Sequence, residues 1–258
     1  MNALASTRRS RYAPAVLVLL ALIITGGFYA LMSPSADASS ASASDIEDGR
    51  RLFQANCATC HGTQGQGTDV GPSLVGVGAA SVYFQVSTGR MPMANNSAQA
   101  PVKPVLFDEE ETSRMAAWVA TLGPGPSVPG AEAVDPELGD PANGMLLFRT
   151  NCAMCHNAVG AGGALSEGKY APPLWDSTPT QIYTAMLTGP QAMPVFNDSS
   201  VTPEGKRDII AYLVEQRETS PGGLSLGSLG PVSEGIWAWV IGIGGLIGIA
   251  VWVGAKSS

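Results

Sequence analysis

GRRLFQANCATCHG, residues Gly49 to Gly62, and GMLLFRTNCAMCHN, residues Gly144 to Asn157, are two copies of one stretch within a single chain. They share Gly, Leu, Phe and Asn at matching positions, and both run into Cys-x-x-Cys-His. The likeness continues downstream in the same order. Gly71-Pro72-Ser73-Leu74 answers Ala171-Pro172-Pro173-Leu174, and Tyr83 with Thr88-Gly89 answers Tyr183 with Thr188-Gly189. Each copy then offers Met-Pro, at Met91-Pro92 and at Met193-Pro194. Landmarks repeated in order mean a duplicated domain.

All four cysteines and both histidines of the chain lie in the two motifs, Cys57, Cys60 and His61, then Cys152, Cys155 and His156. Cys-x-x-Cys-His is the attachment signal for a c-type haem. On a helix-like turn, two cysteines three apart reach the two vinyl groups of one porphyrin, and the adjacent His brings a nitrogen to the iron. The competing readings fit less of the pattern. A thioredoxin-type pair needs no following His and normally occurs once. A shared zinc site would have to join pairs roughly 90 residues apart. A disulfide across two intervening residues is strained. Two covalently bound haem c groups are therefore expected.

With both histidines used, a sixth iron ligand must come from elsewhere, and Met is usual in electron-carrying c haems. Met193 is the candidate in the second copy. The first copy supplies Met91, favoured because its Met-Pro matches, with Met93 as the alternative. His/Met ligation raises the haem potential. Met115, Met145, Met154 and Met186 are read as packing residues. Phe53, Phe148, Leu74, Leu174, Tyr83, Tyr183, Trp118 and Tyr212 are expected to form the cores and line the macrocycles.

Each copy closes on a helical pattern. Asp108–Leu122 is acidic at its start, as the helix dipole prefers, and Thr202–Gln216 carries Pro203 where an N1 proline stands. Breaks in composition bound the repeats: a low-complexity tether at 33–44, Pro/Gly-rich linkers at 123–138 and 220–235, and domains at 45–122 and 139–219. Few β-branched alternations and a helix at each end of about 80 residues give two small all-α domains.

The apolar excess sits at the chain ends. Residues 1–32 form an anchor whose charge-free run, 13–31, is long enough to cross a bilayer as helix. Arg8, Arg9 and Arg11 precede it and place the N-terminus in the cytoplasm. A cleaved signal peptide is the alternative, with Ala36-Asp37-Ala38 as a cleavage pattern; both readings export the middle of the chain. Residues 236–254 are a second uncharged run with Trp237, Trp239 and Trp252 towards its ends, and its short tail is expected in the cytoplasm. Gly244 and Gly248 either let another helix approach or reflect ordinary glycine tolerance. Between Asp45 and Ser220 stand 10 Lys/Arg against 19 Asp/Glu, an acidic balance that excludes nucleic acid as partner and suits a cationic protein.

The motif, the Gly-Pro-x-Leu landmark, the Met-Pro and the closing helix resemble the class I cytochrome c fold, twice over. An N-terminal anchor, two such domains in tandem and a C-terminal transmembrane helix look like the dihaem cytochrome c (cytochrome cc) subunit of the actinobacterial menaquinol–cytochrome c reductase. That resemblance implies that Pro72 and Pro172 pack on the haems and accept the proximal His N–H. It implies cytochrome b and Rieske iron–sulfur partners in the plasma membrane, an aa3-type oxidase as acceptor, and an electron-transfer subunit of a translocase with no substrate-converting site of its own. The first haem would face the Rieske cluster and the second the oxidase. Two other functions fit parts of the pattern. One is the cytochrome subunit of a periplasmic dehydrogenase; the other, a dihaem peroxidase, would need an open iron and distal acid/base groups.

Overall fold

The computed structural model describes residues 12–32, 41–95, 97, 99–218 and 231–256. The arginines ahead of the first helix, the tether through Ser40 and the stretch 219–230 lie outside the described residues. Two compact units result, Met1–Ser39 and Ser40–Ser258. The first holds α1 (Ala13–Met32), an apolar helix whose Val16, Leu17, Leu22 and Ile24 all stand exposed.

The second unit carries the repeats. In the first, α2 (Ala43–Asn56) leads to a one-turn helix α3 (Ala58–His61), then α4 (Gly78–Ser87) and α5 (Glu109–Ala120). A short helical turn, α6 (Ala131–Val134), and a 3-10 turn at Pro136–Leu138 follow. The second repeat is α7 (Pro141–Asn151), α8 (Ala153–His156), α9 (Pro179–Thr188) and α10 (Pro203–Glu218). The all-α expectation holds among the described residues except for a two-stranded antiparallel hairpin, β1 (Gly163–Ala164) with β2 (Tyr170–Ala171), and an isolated antiparallel bridge between Thr68 and Gly71. Last comes α11 (Pro231–Lys256).

Local chemistry starts each helix. Ser42 and Asp45 form a reciprocal capping box on α2, Asp108 and Glu111 on α5, and Thr178 and Gln181 on α9; such caps are worth about 1 kcal/mol each. The serine's hydroxyl and backbone N–H hold the Asp45 carboxyl below its ordinary range. Asp140 caps α7 through the N–H groups of Ala142 and Asn143. Its own N–H donates to Asp208, which ties the start of α7 to α10.

The first and last helix of each repeat cross at a glycine. A Cβ on Gly49 would fall inside the backbone carbonyl of Arg114 on α5, and one on Gly144 inside that of Asp208 on α10. Beside each crossing an aromatic pair closes the core: Phe53 with Trp118 at 4.4 Å between centroids, and Phe148 with Tyr212 at 5.6 Å. Pairs of this kind add about 0.5–1.5 kcal/mol beyond the area they bury. Tyr83 and Tyr183 are buried as expected, while Leu74 and Leu174 pack half-buried against their cores.

The 123–138 connection is ordered against both repeats. The Ala80 N–H donates to the Pro126 carbonyl at 3.0 Å, and Ala133 and Val134 pack on the second core. Among the methionines read as packing, Met115 and Met186 are buried, but Met154 is 93% exposed. It is the second x of Cys-x-x-Cys-His, and a one-turn helix that turns both cysteines and the histidine to one side leaves that position facing out.

Within α11, the 22 residues Gly235–Lys256 are long and apolar enough to cross a membrane. A Cβ at Gly244 or Gly248 would meet nothing, so that face has no partner within the described chain.

Gly144→Ala is expected to force α7 and α10 apart and cost about 1–3 kcal/mol or more, as overpacking does. Ala142→Gly, exposed in the first turn of α7, should cost clearly less, below about 1 kcal/mol. Denaturant midpoints of the two variants test this order.

Candidate haem sites

Both Cys-x-x-Cys-His motifs take one local form. The Phe53 carbonyl accepts from the Cys57 N–H at 2.7 Å, ending α2, and the Cys57 carbonyl accepts from His61 N–H at 3.0 Å, closing α3. The second copy repeats it, Phe148 with Cys152 at 2.8 Å and Cys152 with His156 at 2.9 Å. The end of one helix thus becomes the single turn that carries both thiols and the imidazole. None of the four cysteines is in a disulfide. Burial pushes the Cys57 thiol up to about 11 and the Cys152 thiol up to about 12, so these groups are neutral in the absence of any bound group.

Each imidazole is held from behind. His61 Nδ1 lies 2.8 Å from the Pro72 carbonyl, and His156 Nδ1 lies 3.0 Å from the Pro172 carbonyl. A carbonyl can only accept, so Nδ1 carries the proton and Nε2 is left as a lone-pair donor for iron. Burial also lowers the His156 pKa, which favours the neutral ring.

Two pairs of glycines complete the cradle, and the sequence reading passed over them. Gly65 and Gly67 follow His61 at the same spacing as Gly160 and Gly162 follow His156. Gly67 donates to the His61 carbonyl at 2.7 Å and Gly162 to that of His156 at 2.9 Å. Gly65 and Gly160 accept from Leu74 and Leu174. All four have positive φ. A Cβ at Gly67 would lie 2.7 Å from the Ser73 nitrogen, and one at Gly162 2.6 Å from the Ala171 carbonyl oxygen. The shared spacing from His, His-x3-Gly-x-Gly, was the available signal.

Met91 and Met193 are both half-buried in turns that follow α4 and α9. Met91 N–H donates to Gln85 at 2.9 Å, Met193 N–H donates to Pro190 at 3.1 Å, and Met193 packs on the second core. Met93 is half-buried too. Arg90, beside Met91, is buried with its guanidinium 5.0 Å from the Phe84 ring centroid, and loss of water lowers its pKa. A groove of about 680 Å³ lies elsewhere, where Tyr83 and Glu109 meet Thr180 and Glu132, and no motif cysteine or histidine lines it.

Two thiols on one turn, a neutral imidazole with its outer nitrogen fixed, and glycines where side chains would intrude fit a covalently held haem. Among the described residues, no three His, Cys, Asp or Glu side chains gather as they would around a lone metal ion. A sequence profile of the family described as cytochrome c oxidase, cbb3-type, subunit III matches residues 44–119 and 139–213, one match per repeat. Over the whole chain the relatives are different proteins. The cytochrome bc1 complex cytochrome c subunit of Mycobacterium tuberculosis is 48% identical over 96% of this chain and 92% of its own length.

The chain belongs to the family of cytochrome bc1 complex cytochrome c subunits.

The member from Mycobacterium leprae is 46% identical over 94% of this chain and 87% of that protein. The member from Corynebacterium diphtheriae is 44% identical over 97% of this chain and 96% of its own length. The resemblance read from the motifs and the order of parts is thus met across nearly the full chain, and the repeats are cytochrome c domains with haem c as their cofactor.

Replacing Met193 by His is expected to lower one haem potential, because a harder nitrogen ligand favours ferric iron over the thioether it replaces. It should also remove that haem's near-infrared methionine-to-iron band. A redox titration with spectra recorded alongside checks both, and an unchanged band would assign the ligand elsewhere.

Proposed function

We propose that this chain is the dihaem electron-carrying subunit of a membrane-bound quinol–cytochrome c reductase. The observation that carries the reading is the doubled site: each repeat presents two thiols, a Pro-held imidazole and a Met within one small domain. The named relatives, members of cytochrome bc1 complexes by their printed description, support the setting.

A bound haem supplies a one-electron ferric/ferrous couple. The rest is the work of the chain. Cys57 and Cys60, and likewise Cys152 and Cys155, would tether the group by thioethers and leave it no freedom to dissociate. His61 and His156 would bind iron through Nε2, and the Pro72 and Pro172 carbonyls, which meet Nδ1, would fix the rings and raise their basicity. Met91 and Met193 would supply the second iron ligand in each domain, which would leave no iron site open to substrate and suit the group to electron transfer without bond-breaking. Domains at 45–122 and 139–219 thus hold one group each.

The donor would be a Rieske iron–sulfur protein serving a cytochrome b, with the haem of 45–122 nearest to it. The acceptor would be an aa3-type oxidase, facing the haem of 139–219. Anchoring would use both α11 and α1, and would put the two domains on the extracytoplasmic side and both termini in the cytoplasm. Trp237, Trp239 and Trp252 towards the ends of the last span suit the two interfaces.

Purification of the tagged chain from its native membranes in mild detergent tests this. Cytochrome b and a Rieske protein are expected to co-purify, with oxidase subunits attached. Recovery of a flavin or quinone-cofactor dehydrogenase in their place would overturn the proposal.

A further inference from the structure

The two repeats differ in length at two places, and those two places touch. Pro172 stands sixteen positions after His156, whereas Pro72 stands eleven after His61. The longer loop forms the β1–β2 hairpin, where the first repeat has a single antiparallel bridge, Thr68 with Gly71. Conversely, Met91 stands 18 positions ahead of Glu109, where α5 starts, while Met193 stands ten ahead of Pro203, the start of α10. The longer segment here contains Gln99 and Ala100.

Gln99 spans the gap with both ends of its amide. Its Nε2 donates to the Tyr170 carbonyl at 2.7 Å, and its Oε1 accepts from the Tyr170 N–H at 2.9 Å. Gln191 returns the contact: its Oε1 accepts from the N–H of the buried Ala100 at 3.0 Å. Gln191 holds φ at +61°, a left-handed conformation that a glutamine adopts at a cost. Tyr170 is two residues from Pro172, which orients His156, and Gln191 is two residues from Met193. The amide of Gln99 therefore acts on the strand behind one face of the second haem site, and Gln191 lies in the turn that offers the other face its ligand.

We propose that Gln99 and Gln191 form a reciprocal clamp that makes the first domain a structural part of the second haem site. Both are positioning residues. Gln99 holds β2, and through it the Pro172 carbonyl, at bonding distance from His156. Gln191 holds the Met193 turn against the first domain through Ala100. The insertions that break the repeat are what the clamp grips, so the ligand field of one haem depends on the neighbouring domain. The proposal rests on the reading of His156 and Met193 as iron ligands.

The test uses the full haem-loaded chain with Gln99→Ala, Gln99→Glu and Gln191→Asn. Glutamate keeps the acceptor for the Tyr170 N–H but sets a carboxylate against its carbonyl. Asparagine suits the left-handed backbone but falls short of Ala100. Haem potentials are followed by spectroelectrochemistry, and the second haem is recognised as the one that Met193→His lowers. Gln99→Ala should raise the potential of the second haem, because a slacker Pro172 contact leaves His156 less basic and a weaker partner for ferric iron. That shift should exceed any change at the first haem. Gln99→Glu should move it in the same direction by less, and Gln191→Asn should weaken that haem's methionine band. Amide exchange at Tyr170 in the Gln99→Ala chain, and at Ala100 in the Gln191→Asn chain, should quicken at least about tenfold as those local bonds are lost.

Wild-type potentials and exchange in all three variants would overturn the clamp while leaving the ligand assignment intact. Absence of a methionine band in the unmodified protein would overturn the ligand assignment, and the clamp with it.

Discussion

Two helices crossing at a glycine set everything else in each repeat. At Gly49 and again at Gly144 the backbones of the first and last helices approach so closely that no side chain fits between them. That approach brings Phe53 onto Trp118 and Phe148 onto Tyr212. Both phenylalanines also accept, through their carbonyls, the N–H of the first motif cysteine. The helix crossing thus fixes where the helix ends, and the helix end fixes where the thiols and the imidazole emerge. Hydrogen bonds of the glycines at the fourth and sixth positions after each His then fold the chain back under the ring, so that a proline carbonyl meets Nδ1. Each step places the next, and the thiols and the imidazole of the motif are the last to be placed.

The two domains are joined by polar contacts as well as packing. Gln99 and Gln191 exchange hydrogen bonds with Tyr170 and Ala100, and the Gln181 amide donates to Ser87. The packing of α4 on α9 and the ordered 123–138 strap add to them. Electron transfer between two sites benefits from such fixity, since their separation then does not vary with domain motion.

Much of this was legible because it is local. Cys-x-x-Cys-His, the proline landmarks and the closing helices each depend on neighbours within one repeat. Asp108 and Pro203 marked the starts of α5 and α10 by their own capping chemistry, and Pro72 and Pro172 fall beside the imidazoles. The glycines after each His were visible as spacing, but their meaning lies in positive φ and close backbone approach, which a bare sequence does not display. Met154 misled because an apolar side chain suggests packing, while its place on a one-turn helix turns it to solvent. The contact between domains was not legible at all. It depends on two insertions more than 70 residues apart coming together, and neither Gln99 nor Gln191 carries a motif.

The central claim is that one chain holds two haems by thioether bonds. Intact mass measurement of the purified chain under denaturing conditions tests it most directly, since only covalent groups survive unfolding. The account predicts a mass above that of the polypeptide by two haem groups, falling to one in a chain with both Cys152 and Cys155 replaced by serine. A mass carrying one haem or none, in protein matured by its native host, would contradict it.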